Sequence, residues 1–457
     1  MAQNVSISRE FFEGFHSIVQ NRDENQARLI MSDLHPADLA DLFEKLEEED
    51  VQYLFGLLNG EEAADVLVEM EDEERINLLK SLSSEVIARN ILDYMDSDDA
   101  ADILADLEDH LQEEVLSKME DIEQAGDIVD LLHYDEDSAG GLMAKEFIMV
   151  QEDWTVDQCI SQIRKQVEEV DEVYFVYVVD EDEKFKGILS LKNLLIARAS
   201  HKARDICNYD VMSVKTDMSS EEVASMMERY DLVALPVIDS IGRLVGRITI
   251  DDVVDVIREE AEKDYQMISG ITEDIESSDR ILLQTRARLP WLLVGLVGGV
   301  LGAVVIRLFE PQLATYTGLI LFLPLIAAMA GNVGVQSSSI VVQGLASNAL
   351  ELKGTGKRLL RELGVSSLNG IILSVLIFLF NLLMNTNLLV TLSVSVALFA
   401  VIIFASTFGT LVPLLLDRYR IDPALATGPF ITTTNDIMGL LIYFTVARIL
   451  FGVVGLA

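Results

Sequence analysis

One carboxylate in this sequence stands where a carboxylate is costly. Residues 424–455 are mostly apolar, yet they carry Asn435 and Asp436 roughly a dozen residues in. A charge at the centre of a membrane span costs at least about 2.5–3.5 kcal/mol and by default marks an ion path or a proton relay. Thr432 lies one turn before Asp436. Gly428-Pro429 is expected to interrupt the helix and free backbone carbonyls. Carbonyls, hydroxyls and a carboxylate are hard oxygen ligands, which suit Mg²⁺ or Ca²⁺ and not a soft metal. The competing reading is a structural ion pair. Its nearest candidate along the span, Arg448, is twelve residues on, roughly 18 Å along a helix. Mg²⁺ gives up its water reluctantly, so a hydrated ion is expected, with Asn435 and Thr432 orienting its water shell. Two copies of Asp436 about a dimer axis would supply two charges.

A second apolar stretch carries Gly331-Asn332 through Gln336 to Ser339. Polar side chains at membrane depth need partners or water. Asn332 and Gln336 are four apart and share a helix face, and the small residues permit close helix approach. Support for the Asp436 site and plain helix–helix adhesion both fit this segment.

These residues need a membrane domain to hold them. Five apolar stretches, about 291–309, 318–342, 363–384, 388–416 and 424–455, are each long enough to cross a hydrocarbon core of roughly 30 Å. Basic residues gather in alternate connections. Arg280, Arg286 and Arg288 precede the first span. Lys353, Lys357, Arg358 and Arg361 follow the second, and Arg418 and Arg420 follow the fourth. This pattern predicts a multi-pass cell-membrane protein with a cytoplasmic N-terminus and an external C-terminus. The opening residues lack a basic, then apolar, leader, so no signal peptide is expected.

The 457 residues imply several domains and carry a net charge of −42. From Trp291 onward there are six acidic and eight basic residues, so residues 1–290 hold a net charge of −44. Such a polyanion repels nucleic acid and attracts cations. Cys159 and Cys207 suggest no disulfide framework. The five histidines form no zinc-enzyme pair.

Residues 1–135 read as all-helical, with a degenerate unit at Ala40–Phe43, Ala64–Leu67 and Ala101–Leu104 that opens successive amphipathic stretches of a superhelical domain. Residues 136–262 contain two α/β halves. Val176–Asp180 with Gly187–Leu191 matches Leu235–Asp239 with Gly246–Ile250 at an offset of 59. This resembles a tandem CBS pair, whose clefts often bind adenine nucleotides. Thr249-x-x-Asp252 matches the family's T-x-x-D, which implies a ribose contact at Asp252, and hence ATP as a candidate ligand. A purely structural pair is the alternative. Residues 263–290 read as a polar linking helix that Pro290 ends, before the five-helix domain of 291–457.

The order of acidic helical domain, CBS pair, linking helix and five spans resembles the MgtE family of magnesium channels and transporters. Specific matches are Asp137–Met143, Gly331-Asn332 to Gln336-Ser337, and Asp422 through Asn435-Asp436 and Gly439. The resemblance implies no enzyme but a homodimer that imports Mg²⁺. Its pore Mg²⁺ would lie at Asp436, with the turn around Gly428–Thr432 lining the site. It further implies closure by Mg²⁺ bound to the cytoplasmic domains, with Asp98, Asp102, Asp251, Asp255, Glu259 and Glu262 as candidate ligands. By spacing, Asp98/Asp102, Asp251/Asp255 and Asp255/Glu259 are i,i+4 carboxylate pairs, which repel on a bare helix. A bridging divalent ion would relieve that repulsion, and a solvated acidic face is the simpler reading. Rival functions are transport of Mn²⁺ or Co²⁺, a membrane-anchored nucleotide sensor, and an intramembrane aspartyl protease. The protease would need a second deep aspartate.

Overall fold

The computed structural model describes residues 8–167, 170, 173–272, 275, 281–346, 355–426 and 428–454. Part of the linking segment (273, 274 and 276–280), with it Arg280, and also Lys353 lie outside the described residues. The chain forms two compact units, Met1–Glu259 and Glu260–Ala457.

In the first unit, helices α1 (Arg9–Gln20) to α10 (Ile122–Leu131) are short. Caps explain their length. Ser8, Asp23, Ser83 and Asp121 each accept a backbone N–H at a helix start, and Asn59 with Glu62 forms a capping box. The repeated units occupy the second halves of α3 (Pro36–Phe43), α5 (Gly60–Val68) and α8 (Ser97–Ala105). They close these helices and do not open them as expected. In each, the alanine and the last two apolar residues are buried while the aspartate faces out. The repeat therefore records the inward stripe of a short helix.

Two three-stranded sheets follow. In one, β1 (Met149–Gln151) pairs parallel with β2 (Val176–Val179), which pairs antiparallel with β3 (Phe185–Leu189). In the other, β4 (Val214–Lys215), β5 (Ala234–Ile238) and β6 (Leu244–Thr249) repeat the pattern. Helix α11 (Val156–Gln166) precedes the central strand of the first half, the short α12 (Leu191–Ile196) and α13 (Ala203–Ile206) follow β3, and α14 (Ser220–Tyr230) precedes the central strand of the second. The Asp137–Met143 segment joins the second half: Ala139 N–H donates to Met218 O and Gly140 N–H to Thr216 O. A Cβ on Gly141 would lie 2.6 Å from Asp135 O, so the paired glycines permit this close turn.

Helix α15 (Ile250–Ser269) starts directly after β6 and ends at Gly270, whose φ is +83°. Pro290 does not end a helix. It lies inside α16 (Ile281–Leu308). A proline removes one helical hydrogen bond, which neighbouring side chains can offset in a membrane helix. The carbonyl deprived of its helical donor is that of Arg286, four residues earlier. The next one, Ala287 O, accepts from both Thr272 N and Thr272 Oγ1, at 3.1 and 2.9 Å, and ties the end of the α15 segment to this turn.

Among the described residues, five helices are long and apolar enough to cross a membrane. They are α16, α18 (Leu323–Ala346), α19 (Thr355–Leu383), α20 (Leu388–Arg418) and α21 (Gly428–Val454). The short helix α17 (Glu310–Thr315) and a 3₁₀ turn at Thr317–Phe322 join the first two. The apolar window of α20 is 56% buried, against 11% for α16 and α19, so α20 is the bundle's centre.

Glycines set the closest crossings. A Cβ on Gly409 would lie 2.4 Å from Gly334 O, a backbone atom that cannot swing aside. Gly409→Ala should therefore cost at least ~1–3 kcal/mol and lower the melting temperature in detergent. Gly295→Ala, where nothing lies within 4 Å, should leave it unchanged. Equal melting temperatures for the two variants would refute this packing.

Candidate functional site

In the membrane unit, Asp436 lies eight residues into α21, roughly 12 Å from its start. That is nearer the helix end than the hydropathy window suggests, because α21 begins at Gly428 and not at 424. Gly428-Pro429 thus starts the helix and does not interrupt it. Gly428 has φ +50°, and Pro429 sits in the first turn, where its missing N–H costs nothing.

The face of α21 bearing Ile431, Thr432, Asn435 and Asp436 meets α18 at Gly331 and Gly334. A Cβ on Gly331 would lie 3.0 Å from both Asp436 Oδ1 and Thr432 Cγ2. A Cβ on Gly334 would collide with Asn435 Nδ2 at 1.9 Å. The glycines of the Gly331–Ser339 segment, and not its amides, therefore face the candidate ion site. Asn332 and Gln336 are exposed in the single chain. Gln336 instead lines a cavity between α18, α19 and α20.

Asn435 is fully buried, and neither its amide oxygen nor its nitrogen has a hydrogen-bond partner among the described residues. Asp436 Oδ1 is likewise buried without a partner. Each unsatisfied group costs about 1–3 kcal/mol, more for a charged one. Such groups side by side are the kind of residue pair an ion or its water shell would satisfy. Thr432 Oγ1 donates to Gly428 O at 2.9 Å, so that hydroxyl can still accept. The end of α15 packs here too: a Cβ on Gly428 would lie 2.3 Å from Ile268 O, and one on Gly270 2.6 Å from Pro429 Cγ.

The first unit gathers a different set of carboxylates. Asp96, Asp98 and Glu146 bring one oxygen each within 4.8 Å of one another. Ser97 holds Glu146 there, its N–H and hydroxyl donating at 3.1 and 2.9 Å. Asp252 is also a neighbour. Its Oδ2 accepts from Thr249 N and Oγ1 at 3.1 and 2.7 Å, fixing it at the start of α15. Burial, then Asp252 and Asp99, hold the Asp98 carboxyl well above the usual range. Burial, with Asp252 next, pushes Asp99 up to about 7. Burial raises Asp252 to about 6 against the two Thr249 hydrogen bonds, which lower it. Arg247 Nη2 stands 3.9 Å from Asp96 Oδ2.

Of the regulatory candidates, Asp98 is in this cluster and Asp251 borders it. Asp102 is exposed, with Glu136, Asp106 and Glu259 as acidic neighbours and Arg75 as a basic one. Asp255 is exposed on α15 beside Arg258. Glu262 lies about two turns farther along α15, also exposed, in the second unit. Sequence reasoning missed Asp96, Asp99 and Glu146, and it set Asp252 apart as a nucleotide contact. The run Asp96-Ser97-Asp98-Asp99 was a visible signal, whereas Glu146, 48 residues beyond Asp98, gave none.

Residues 323–446 match the family model of a divalent cation transporter, residues 34–137 the MgtE intracellular N domain, and 139–200 and 203–259 the CBS domain. The chain is 34% identical over 435 residues to the magnesium transporter MgtE of Thermus thermophilus, covering 94% of this chain and 96% of that protein. It is 32% identical over 422 residues to the Bacillus subtilis magnesium transporter MgtE, covering 92% and 93%. Among solved structures, the cytosolic domain of the Mg²⁺ channel MgtE in complex with ATP aligns with a TM-score of 0.51 at 35% identity. It covers 54% of this chain and 99% of that one.

The raised carboxyls have a pH consequence. Carboxyls with elevated folded pKa values bind protons more tightly folded than unfolded, so stability falls as pH rises. For Asp99 the loss spans the window from 3.8 to about 7, and for Asp252 from 3.8 to about 6. With divalent ions chelated, the first unit of the full chain should melt at a lower temperature at about pH 8 than at about pH 6. Asp99→Asn should narrow that gap. A melting temperature that rises over this interval would show that these carboxyls are not destabilising when ionised.

Proposed function

The chain belongs to the MgtE family of magnesium transporters, and from that membership we propose that two copies of it carry Mg²⁺ across a membrane past paired Asp436 side chains. It is a multi-pass membrane transporter, not an enzyme. The observation that carries the pore assignment is the buried Asp436 oxygen without a hydrogen-bond partner among the described residues. Hydrated Mg²⁺ would supply both the charge and the water hydrogens this oxygen lacks. Asn435 and the Thr432 hydroxyl would meet the water shell. A second chain supplies the other charge, and the exposed Asn332 would then look onto the pore, while Gln336 faces the cavity between α18, α19 and α20. The basic connections support a cytoplasmic N-terminus and an external C-terminus, and on that reading the ion enters the cell on the side that carries the acidic residues 1–290.

Regulation follows from that unit. Mg²⁺ bound among Asp96, Asp98, Glu146 and their neighbours, with Asp102, Asp251, Asp255 and Glu259 as further ligands, relieves their mutual repulsion and favours a compact, closed state. At ten times Kd one site favours the bound state by about 1.4 kcal/mol, so three or four supply about 4–6 kcal/mol. That is enough to move a gate from mostly open to mostly closed. The packing of α15 against Gly428-Pro429 offers a direct handle on the start of α21. ATP, which the solved relative's cytosolic domain holds, is proposed to occupy the CBS cleft with Thr249 and Asp252. Because Asp252 also borders the acidic cluster, nucleotide there would alter Mg²⁺ affinity.

Two experiments test these readings. Uptake of Mg²⁺ into liposomes should collapse, or lose selectivity over monovalent ions, for Asp436→Asn, which keeps shape but loses charge. Asp436→Glu should be impaired less. Parent-like uptake by Asp436→Asn would move the pore site elsewhere. For regulation, limited proteolysis of the full chain should show residues 8–270 protected by millimolar Mg²⁺, with ATP shifting the Mg²⁺ concentration required. Cleavage that ignores Mg²⁺ would sink the sensor.

A further inference from the structure

Between α18, α19 and α20 lies a cavity of about 730 Å³ that the transport reading does not use. Lys357, Arg358 and Arg361, on the first turns of α19, line one side of it. Among the described residues, the one carboxylate in its lining is Glu362. Its Oε1 is already committed, accepting from Ser337 Oγ at 2.8 Å and Ser406 Oγ at 2.6 Å. Arg358 Nη2 donates to Ile340 O at 3.0 Å, which holds this cavity-lining guanidinium in place. Three cations against one occupied carboxylate repel Mg²⁺, so this cavity is no branch of the ion path.

The geometry points to a binding site for the phosphate headgroup of an anionic membrane lipid. A guanidinium and two further cations form the donor set that a phosphodiester seeks. Basic pockets between spanning helices at the membrane surface are suited to such headgroups. Ile340, Val365 and Ile402 line the cavity as well, an apolar wall for the glycerol and first acyl carbons. Size favours lipid over free phosphate: at about 30 Å³ per water, an inorganic phosphate would leave most of 730 Å³ filled with solvent. All three helices are long and apolar enough to span a bilayer. The site is independent of the Asp436 assignment, since it shares no residue with the Asp436, Asn435 and Thr432 set.

The test is native mass spectrometry of the full chain in detergent, titrated with phosphatidylglycerol, with phosphatidylcholine, or with inorganic phosphate. The expected result is selective retention of phosphatidylglycerol, with binding about fivefold weaker for each cation removed among Lys357→Gln, Arg358→Gln and Arg361→Gln. Glu362→Gln keeps a polar partner for the two serines and removes the opposing charge, so it should bind phosphatidylglycerol more tightly. This variant and exposed Lys357→Gln keep the test open if the triple variant does not fold. Retention of both lipids alike, an unchanged affinity in Lys357→Gln together with Glu362→Gln, or displacement of the lipid by millimolar inorganic phosphate would each overturn the assignment.

Discussion

A carboxylate placed among apolar helices must be met by a proton, a cation or water, and that requirement at Asp436 organises the membrane unit. Among the described residues, the helices around it make room without supplying a partner to Asp436 Oδ1. Gly331 lets Asp436 lie against the backbone of α18, and Gly334 lets Asn435 bury a complete amide. Gly409 brings α20 against that same turn. Larger residues at any of these points would push α21 away and open the site to lipid or to other side chains. The glycines thus keep polar groups buried but unsatisfied, a state that a folded protein tolerates at a functional site and seldom elsewhere.

The acidic cluster of the first unit meets the same problem differently. It does not isolate one carboxylate but crowds several, so burial and mutual repulsion raise Asp98, Asp99 and Asp252 together. Ser97 and Thr249 hold Glu146 and Asp252 in place with hydrogen bonds that act whether or not a cation is present. A preordered cluster of this kind loses little side-chain freedom when an ion arrives. What it gains is relief of repulsion, which depends on ion concentration and not on close contact geometry. In the proposed reading this makes it a graded sensor.

Much of this was legible in the sequence, and the gaps have physical causes. The five spans follow from apolar length alone, and the CBS halves from a repeat of apolar strands at a fixed offset. Pro290 misled because a proline's local preference for a helix boundary yields within a long apolar run, and α16 continues through it. Asn332 drew attention because it is polar, while Gly331 and Gly334 make the contacts because they are small. Glu362 escaped notice because it precedes the apolar stretch of the third span, yet α19 begins at Thr355 and carries it inward to Ser337 and Ser406. The meeting of Asp98 with Asp252 could not be read at all. It joins residues 154 positions apart, and neither periodicity nor composition encodes such a contact.

The two carboxylate arrangements also explain why one ion can serve as cargo and as signal in the proposed function. A transport site must release its ion quickly, so a single carboxylate per chain acting through water is better suited than a cage of direct ligands. A sensor has the opposite need: it must stay occupied while the ion is abundant, and several shared carboxylates raise local affinity without requiring full dehydration. If the pore held the ion as the cluster does, conduction would be slow. If the cluster held it as the pore does, the gate would not respond until the cell was overloaded. The sequence separates the two demands, concentrating charge before residue 291 and leaving Asp436 alone within its span.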